Sequence, residues 1–109
     1  MEIHFRNKKL QELCQTSKLM KKKLGDELAK KLKARLSDLE SASTVSELVA
    51  GRPHPLEYDR KGQFAVDLNN MIRLVFEPAN EPIPRCSDET VDWKRITVIR
   101  IVCIGDYHG

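Results

Sequence analysis

Five residues have side chains suited to moving protons and holding phosphate, and they fall in three places. His54 lies within Arg52-Pro53-His54-Pro55-Leu56, and Arg73 follows Ile72 in an alternating stretch. Asp106, Tyr107 and His108 stand together in the closing run Gly105-Asp106-Tyr107-His108-Gly109. Cleavage of RNA through its own 2′-hydroxyl uses groups of these kinds. The 2′-oxygen loses a proton as it attacks the adjacent phosphate, and the departing 5′-oxygen gains one. Fixed cations meet the charge that grows on the phosphoryl oxygens. An unperturbed imidazole titrates near pH ~6.5, so histidine serves either transfer around neutrality. Asp106 can orient a histidine or act as base, Tyr107 can donate a proton or stack on a base, and Arg73 can hold the phosphate.

Each group also has a plainer reading. Arg73 can be spent on a cross-strand ion pair with Asp67, His54 between two prolines can bond backbone as a loop residue, and Asp106–His108 can be a frayed end. Spacing alone leaves these alternatives open. Metal and nucleotide chemistry find no support: Cys14, Cys86 and Cys103 are scattered, and there is no CxxC, HxH, HExxH, Gly-rich phosphate loop, GxSxG or dinucleotide fingerprint.

The elements that must position these groups follow from periodicity. Phe64, Val66 and Leu68 alternate with Gln63, Ala65 and Asp67, and Ile72, Leu74 and Phe76 alternate with Arg73 and Val75. A two-residue turn at Asn69-Asn70 would pair Leu68 with Met71 and swing Arg73 onto the apolar face. A three-residue turn, Asn69-Asn70-Met71, pairs Leu68 with Ile72 and Phe64 with Phe76. That register is the expected one, with an asparagine in the left-handed conformation and Arg73 presented on the exposed face. Ahead of the hairpin, Ile3 and Phe5 mark a short first strand with His4 on its surface. Asn7 is placed to cap a helix carrying Leu10, Leu13 and Cys14, and Thr16-Ser17 to break it. Leu24, Leu28, Leu32, Leu36 and Leu39 stripe a second helix, although Gly25 weakens its start. Thr44 is placed to cap a turn holding Val45, Leu48 and Val49.

Beyond the hairpin, Glu77 to Lys94, with Pro78, Pro82 and Pro84, reads as an irregular excursion anchored by Trp93. Arg95 to Ile104 is apolar on both alternations, which marks a central strand. The expected fold is α+β, one domain over 1–109. A short N-terminal strand and two helices join a mostly antiparallel twisted sheet, the helices packed on one face.

At 109 residues and net charge +3, the chain has no apolar run near the ~20 residues of a membrane span, and the start MEIHFRNKK reads as lacking a signal-peptide h-region. The odd, dispersed cysteines suit reduced thiols in a cytoplasm. The charge is unevenly spread: Lys18, Lys21, Lys22, Lys23, Lys30, Lys31, Lys33 and Arg35 crowd the helical region, either a solvated face or one turned to a polyanion.

The run His54-Pro55-Leu56, the block Asp59-Arg60-Lys61-Gly62-Gln63-Phe64-Ala65-Val66, the strand Ile72-Arg73-Leu74-Val75-Phe76 and the terminal Asp106-Tyr107-His108 resemble the HigB toxins. These belong to the RelE/ParE superfamily of type II toxin–antitoxin systems, and the resemblance spans essentially the whole chain. It implies a RelE-like fold and a metal-independent, ribosome-dependent mRNA interferase. Such a toxin enters the ribosomal A site and cleaves the codon by 2′-hydroxyl attack, leaving a 2′,3′-cyclic phosphate. By motif, the resemblance makes His54, Asp106, Tyr107 and His108 the catalytic set and Arg73, Arg60 and Lys61 the phosphate holders. It turns the helix lysines, Lys22 and Lys30 among them, toward ribosomal RNA. The implied partner is a HigA-like helix-turn-helix antitoxin, through which alone the toxin would reach operator DNA; no cofactor and no membrane are implied. The sequence departs from the family at Tyr58, where a glycine is common, and at Phe64 and Ile72, where tryptophans are common. Its 77–94 excursion is longer than in the smallest members. A ParE-like gyrase inhibitor or a non-catalytic RNA- or protein-binding member is the alternative on the same fold.

Overall fold

In the computed structural model, residues 1–106 are described. Their elements run β1 (Glu2–Phe5), α1 (Lys8–Gln15), α2 (Ser17–Leu24), α3 (Asp26–Ser41), β2 (His54–Pro55), β3 (Phe64–Asp67), β4 (Arg73–Pro78) and β5 (Val98–Gly105). Single 3₁₀ turns lie at Val45–Glu47, Tyr58–Arg60 and Trp93–Arg95. Asn7 starts the helical layer as expected, its Oδ1 accepting from the Leu10 N–H at 2.8 Å. The break at Thr16-Ser17 is also present, between α1 and α2.

The expected second helix is in fact two. Gly25, at φ +84°, closes α2 and opens α3, a conformation that costs a glycine little. The leucine stripe hides this break because Leu24 and Leu28 flank it and both pack against the same core. Thr44 caps no backbone N–H at the turn after α3: its hydroxyl meets Ser46, while Glu47 Oε2 accepts from the Ser43 N–H at 2.8 Å. Of the residues expected in that turn, Val45 is buried and Val49 is exposed.

The sheet order is β1-β5-β4-β3-β2, with β1 parallel to β5 and the other pairs antiparallel. β5 thus lies inside the sheet, where its apolar content on both faces belongs. The hairpin takes the expected register: Phe64 faces Phe76, Asp67 faces Arg73, and Leu68 N–H bonds the Ile72 carbonyl at 2.8 Å. No hairpin-loop asparagine is left-handed, however; among the described residues the non-glycine residues at positive φ are Arg52, Tyr58 and Glu89. Asn69 reverses the chain with its side chain instead, Oδ1 accepting from the N–H groups of Met71 and Ile72 at 2.8 and 2.6 Å. β4 also outruns the expectation, since Glu77 and Pro78 pair with Arg100 and Ile99 before the excursion starts.

The two faces of the sheet are closed differently. Phe64, Val66, Leu74, Phe76, Ile99 and Ile101 bury one face against Met20, Ala29, Leu32 and Leu39 of the helices. Among the described residues the other face carries no helix; Leu56 folds back onto Ala65, Val75 and Val102 there, with Cys103 packed beside them. A bulge between Val75 and Phe76 lets Val102 and Cys103 both join that second cluster. No helix among the described residues is long and apolar enough to cross a membrane.

Candidate active site on the helix-free face

β2 is only two residues long, yet it fixes His54. Its Cα lies opposite Ala65, in a row that continues through Val75 to Cys103. The imidazole Nδ1 lies 2.7 Å from the Arg52 carbonyl oxygen. A carbonyl can only accept, so Nδ1 carries the hydrogen, and in the neutral ring Nε2 keeps the lone pair. The carbonyl is aimed by a strained turn in which Gly51 and Arg52 sit at φ +83° and +48°. Gly51 is pinned to β3: its carbonyl accepts from the Asp67 N–H at 2.6 Å, and a Cβ there would lie 2.9 Å from the Asp67 oxygen. The backbone leading into the histidine is therefore built onto the end of the hairpin.

One row further along, about 7 Å by strand geometry, Asp67 faces Arg73, and Arg73 faces Gly105. Asp67 receives two guanidinium groups, Arg52 Nε on Oδ2 at 2.9 Å and Arg73 Nε on Oδ1 at 3.2 Å. Asp106, which is exposed, leaves the sheet directly after the residue opposite Arg73. From the other side, Arg60 donates from Nη1 to Gln63 Oε1 at 2.9 Å and lies 3.5 Å from Cys103 Sγ. Burial pushes the Cys103 thiol up from its ordinary pKa, and the positive charges of Arg60 and Arg6 work against that shift. His54, Arg52, Asp67, Arg73, Arg60 and Cys103 thus share one face.

Arg73 is not on an exposed surface, as its alternation implied: it is 7% exposed. The expectation assumed that whatever faces away from the main core faces water, but this face has its own packed layer. Lys61 lines a cleft of about 740 Å³ between the 55–63 loop and the 83–93 excursion, beside Leu56 and Gln63. Across that cleft lies Asp88. Its carboxyl is held below the usual range by the Thr90 hydroxyl and N–H, with a smaller contribution from Lys61. Lys22 and Lys30 are exposed on the helical layer, which covers the opposite face of the sheet. Tyr107 and His108 lie outside the described residues. Sequence reasoning gave no role to Arg52, Gly51 or Cys103. The left-handed Arg52 has no sequence signal, since a residue before proline ordinarily favours extended backbone. The bulge that turns Cys103 toward Arg60 is equally silent.

The excursion is an ordered lobe. Trp93 packs on Phe64 with ring centroids 4.8 Å apart, as the anchoring role expected of it requires. Arg95 ties the end of the excursion to its middle by donating to Asp92 at 2.8 Å and to the Arg85 carbonyl at 3.1 Å.

No protein-family model and no curated protein sequence matches the chain. Its likeness is to solved structures. The YoeB/ParE toxin from Agrobacterium tumefaciens superposes with a TM-score of 0.62 at 9% identity, over 99% of this chain and 100% of that one. YoeB in the YoeB–YefM complex from Staphylococcus aureus gives 0.59 at 16% identity, over 100% and 98%. YafQ from E. coli strain BL21(DE3) gives 0.59 at 17% identity, over 96% and 91%. What this chain has in common with the YoeB/ParE toxin and YafQ structures is its fold, helices packed on a mixed five-stranded sheet: a RelE-like toxin fold.

Proposed function

We propose that this chain is the toxin of a type II toxin–antitoxin pair and acts as an endoribonuclease on mRNA at the ribosomal A site. One observation carries the reading. The helix-free face gathers an oriented imidazole, with Nδ1 donating to the Arg52 carbonyl, and a set of guanidinium groups, on the fold found in YoeB/ParE toxins. In this reading His54 Nε2 moves a proton to or from the reacting ribose or leaving oxygen, and Arg60 meets the charge on the phosphoryl oxygens. Arg73, braced by Asp67, adds positive field from within the face. Asp106, Tyr107 and His108 of the terminal segment complete the acid–base set, as the resemblance to HigB toxins implies. Lys61 and the helix lysines, Lys22 and Lys30 among them, hold RNA backbone away from the reacting phosphate. The partner that silences the toxin is a HigA-like antitoxin; the YoeB–YefM complex, described as toxin–antitoxin, supports a protein partner of that kind.

The test is primer extension on an mRNA translated with purified ribosomes and the purified chain. The reading expects in-frame breaks that depend on translation and leave 2′,3′-cyclic ends. Intact message alongside inhibited gyrase supercoiling would transfer the assignment to a gyrase inhibitor.

A further inference from the structure

Tyr58 carries an unusual combination of features. It heads the 3₁₀ turn Tyr58–Arg60 in the loop between β2 and β3, at φ +56°. For a bulky side chain this left-handed backbone is a true outlier, of the kind that persists where structure or function demands it. The left-handed φ belongs to the turn, which the Lys61 N–H closes on the Tyr58 carbonyl at 3.1 Å, while the side chain takes no part in packing and is 86% exposed. Among the described residues it is one of very few large apolar side chains left in water, with Val49 and Met71. Its position is specific. Two residues before it, Leu56 folds onto the helix-free face; two residues after it, Arg60 reaches Cys103 on the same face. A phenol ring therefore projects from the loop that brings a cation onto the candidate site, while glycine would relax the backbone.

We infer that Tyr58 is a positioning residue that stacks on an unpaired nucleobase of the RNA strand whose phosphate Arg60 receives. Aromatic stacking is tolerant of base identity because every base offers a π-face. The ring would thus hold a codon nucleotide without selecting its sequence. This rests on the helix-free face being the RNA-binding face, but not on the chain cutting RNA.

The experiment measures binding of a fluorescent 2′-O-methyl oligoribonucleotide, which cannot be cleaved through its 2′-oxygen, to the full chain and to Tyr58→Phe, Tyr58→Asn and Tyr58→Gly. The melting temperature of each is read in parallel. Tyr58→Phe should bind like the wild type, whereas Tyr58→Asn and Tyr58→Gly should bind about five-fold or more weakly, equally for purine and pyrimidine strands. Tyr58→Gly should melt no lower than the wild type, since it accepts the backbone conformation that tyrosine strains against. Equal binding by the glycine and wild-type chains, or no binding by the wild type, overturns the assignment. A wild type that binds this strand through Tyr58 yet leaves translated mRNA whole would retain the stacking role and reject the nuclease reading.

Discussion

At the scale of single residues, the chemistry depends on where protons and charges are fixed. His54 is held by one hydrogen bond from Nδ1 to a carbonyl, which leaves the Nε2 lone pair available in the neutral ring. Arg73 is a different case, because its guanidinium is buried against Asp67 at 3.2 Å. Asp67 keeps Arg52 at 2.9 Å when Arg73 is removed, so what is lost is one charge-assisted hydrogen bond, worth about 1.5–3 kcal/mol. Arg73→Ala should therefore lower stability to urea by an amount in that range, and its activity loss alone would say little about phosphate binding. Arg73→Lys, which keeps the charge, should recover much of the stability while leaving cleavage impaired. Cys14 makes a separate prediction. Burial pushes its thiol up to about 11 from a reference of 9.0, so the unfolded chain ionises before the folded one. Stability from this group is full below pH 9 and drains as pH climbs through about 11. Urea melts across that window should fall less steeply for Cys14→Ala than for the wild type.

At the scale of elements, the critical joint is the Gly51–Arg52 turn, which fastens β2 to the end of β3. Gly51 combines φ +83° with only 2.9 Å between an added Cβ and the Asp67 carbonyl oxygen. Gly51→Ala should thus destabilise the fold by about 1 kcal/mol or more and shift the carbonyl that orients His54. Gly25→Ala meets the same left-handed φ, at +84°, but open space around it. It should cost stability and leave cleavage per folded molecule unchanged, a contrast read by thermal melts beside primer extension. The hairpin register was legible in the residues because a one-residue slip would have sent Phe64 and Phe76 to the wrong face. The helix break at Gly25 was not, since leucines four apart look alike whether or not the chain turns between them. The turn at Arg52 was hidden for a harder reason: its left-handed backbone is imposed by the attachment of Gly51 to Asp67, two residues far apart in the sequence.

At the scale of the molecule, helices close one face of the sheet and, among the described residues, leave the other without a helical cover. Alternation identified which hairpin residues belong to the main core, and so located Arg73 away from it. It did not reveal that the second face has its own small core around Leu56, and hence that Arg73 would be buried. Two basic surfaces result, one beside His54 and one on the helices, separated by the sheet. Lys22→Glu with Lys30→Glu, both exposed, should weaken association with ribosomes and flatten its salt dependence by roughly one unit of slope for each phosphate no longer neutralised. Cleavage at saturating ribosomes should be unaffected.

The most direct measurement is translation-dependent cutting by His54→Ala, whose melting temperature should match the wild type because the imidazole is only partly buried. Loss of a positioned proton-transfer group should slow in-frame cleavage by about 10²- to 10⁴-fold in primer extension. Cutting at the wild-type rate by the folded variant would contradict the assignment of the helix-free face as the catalytic one.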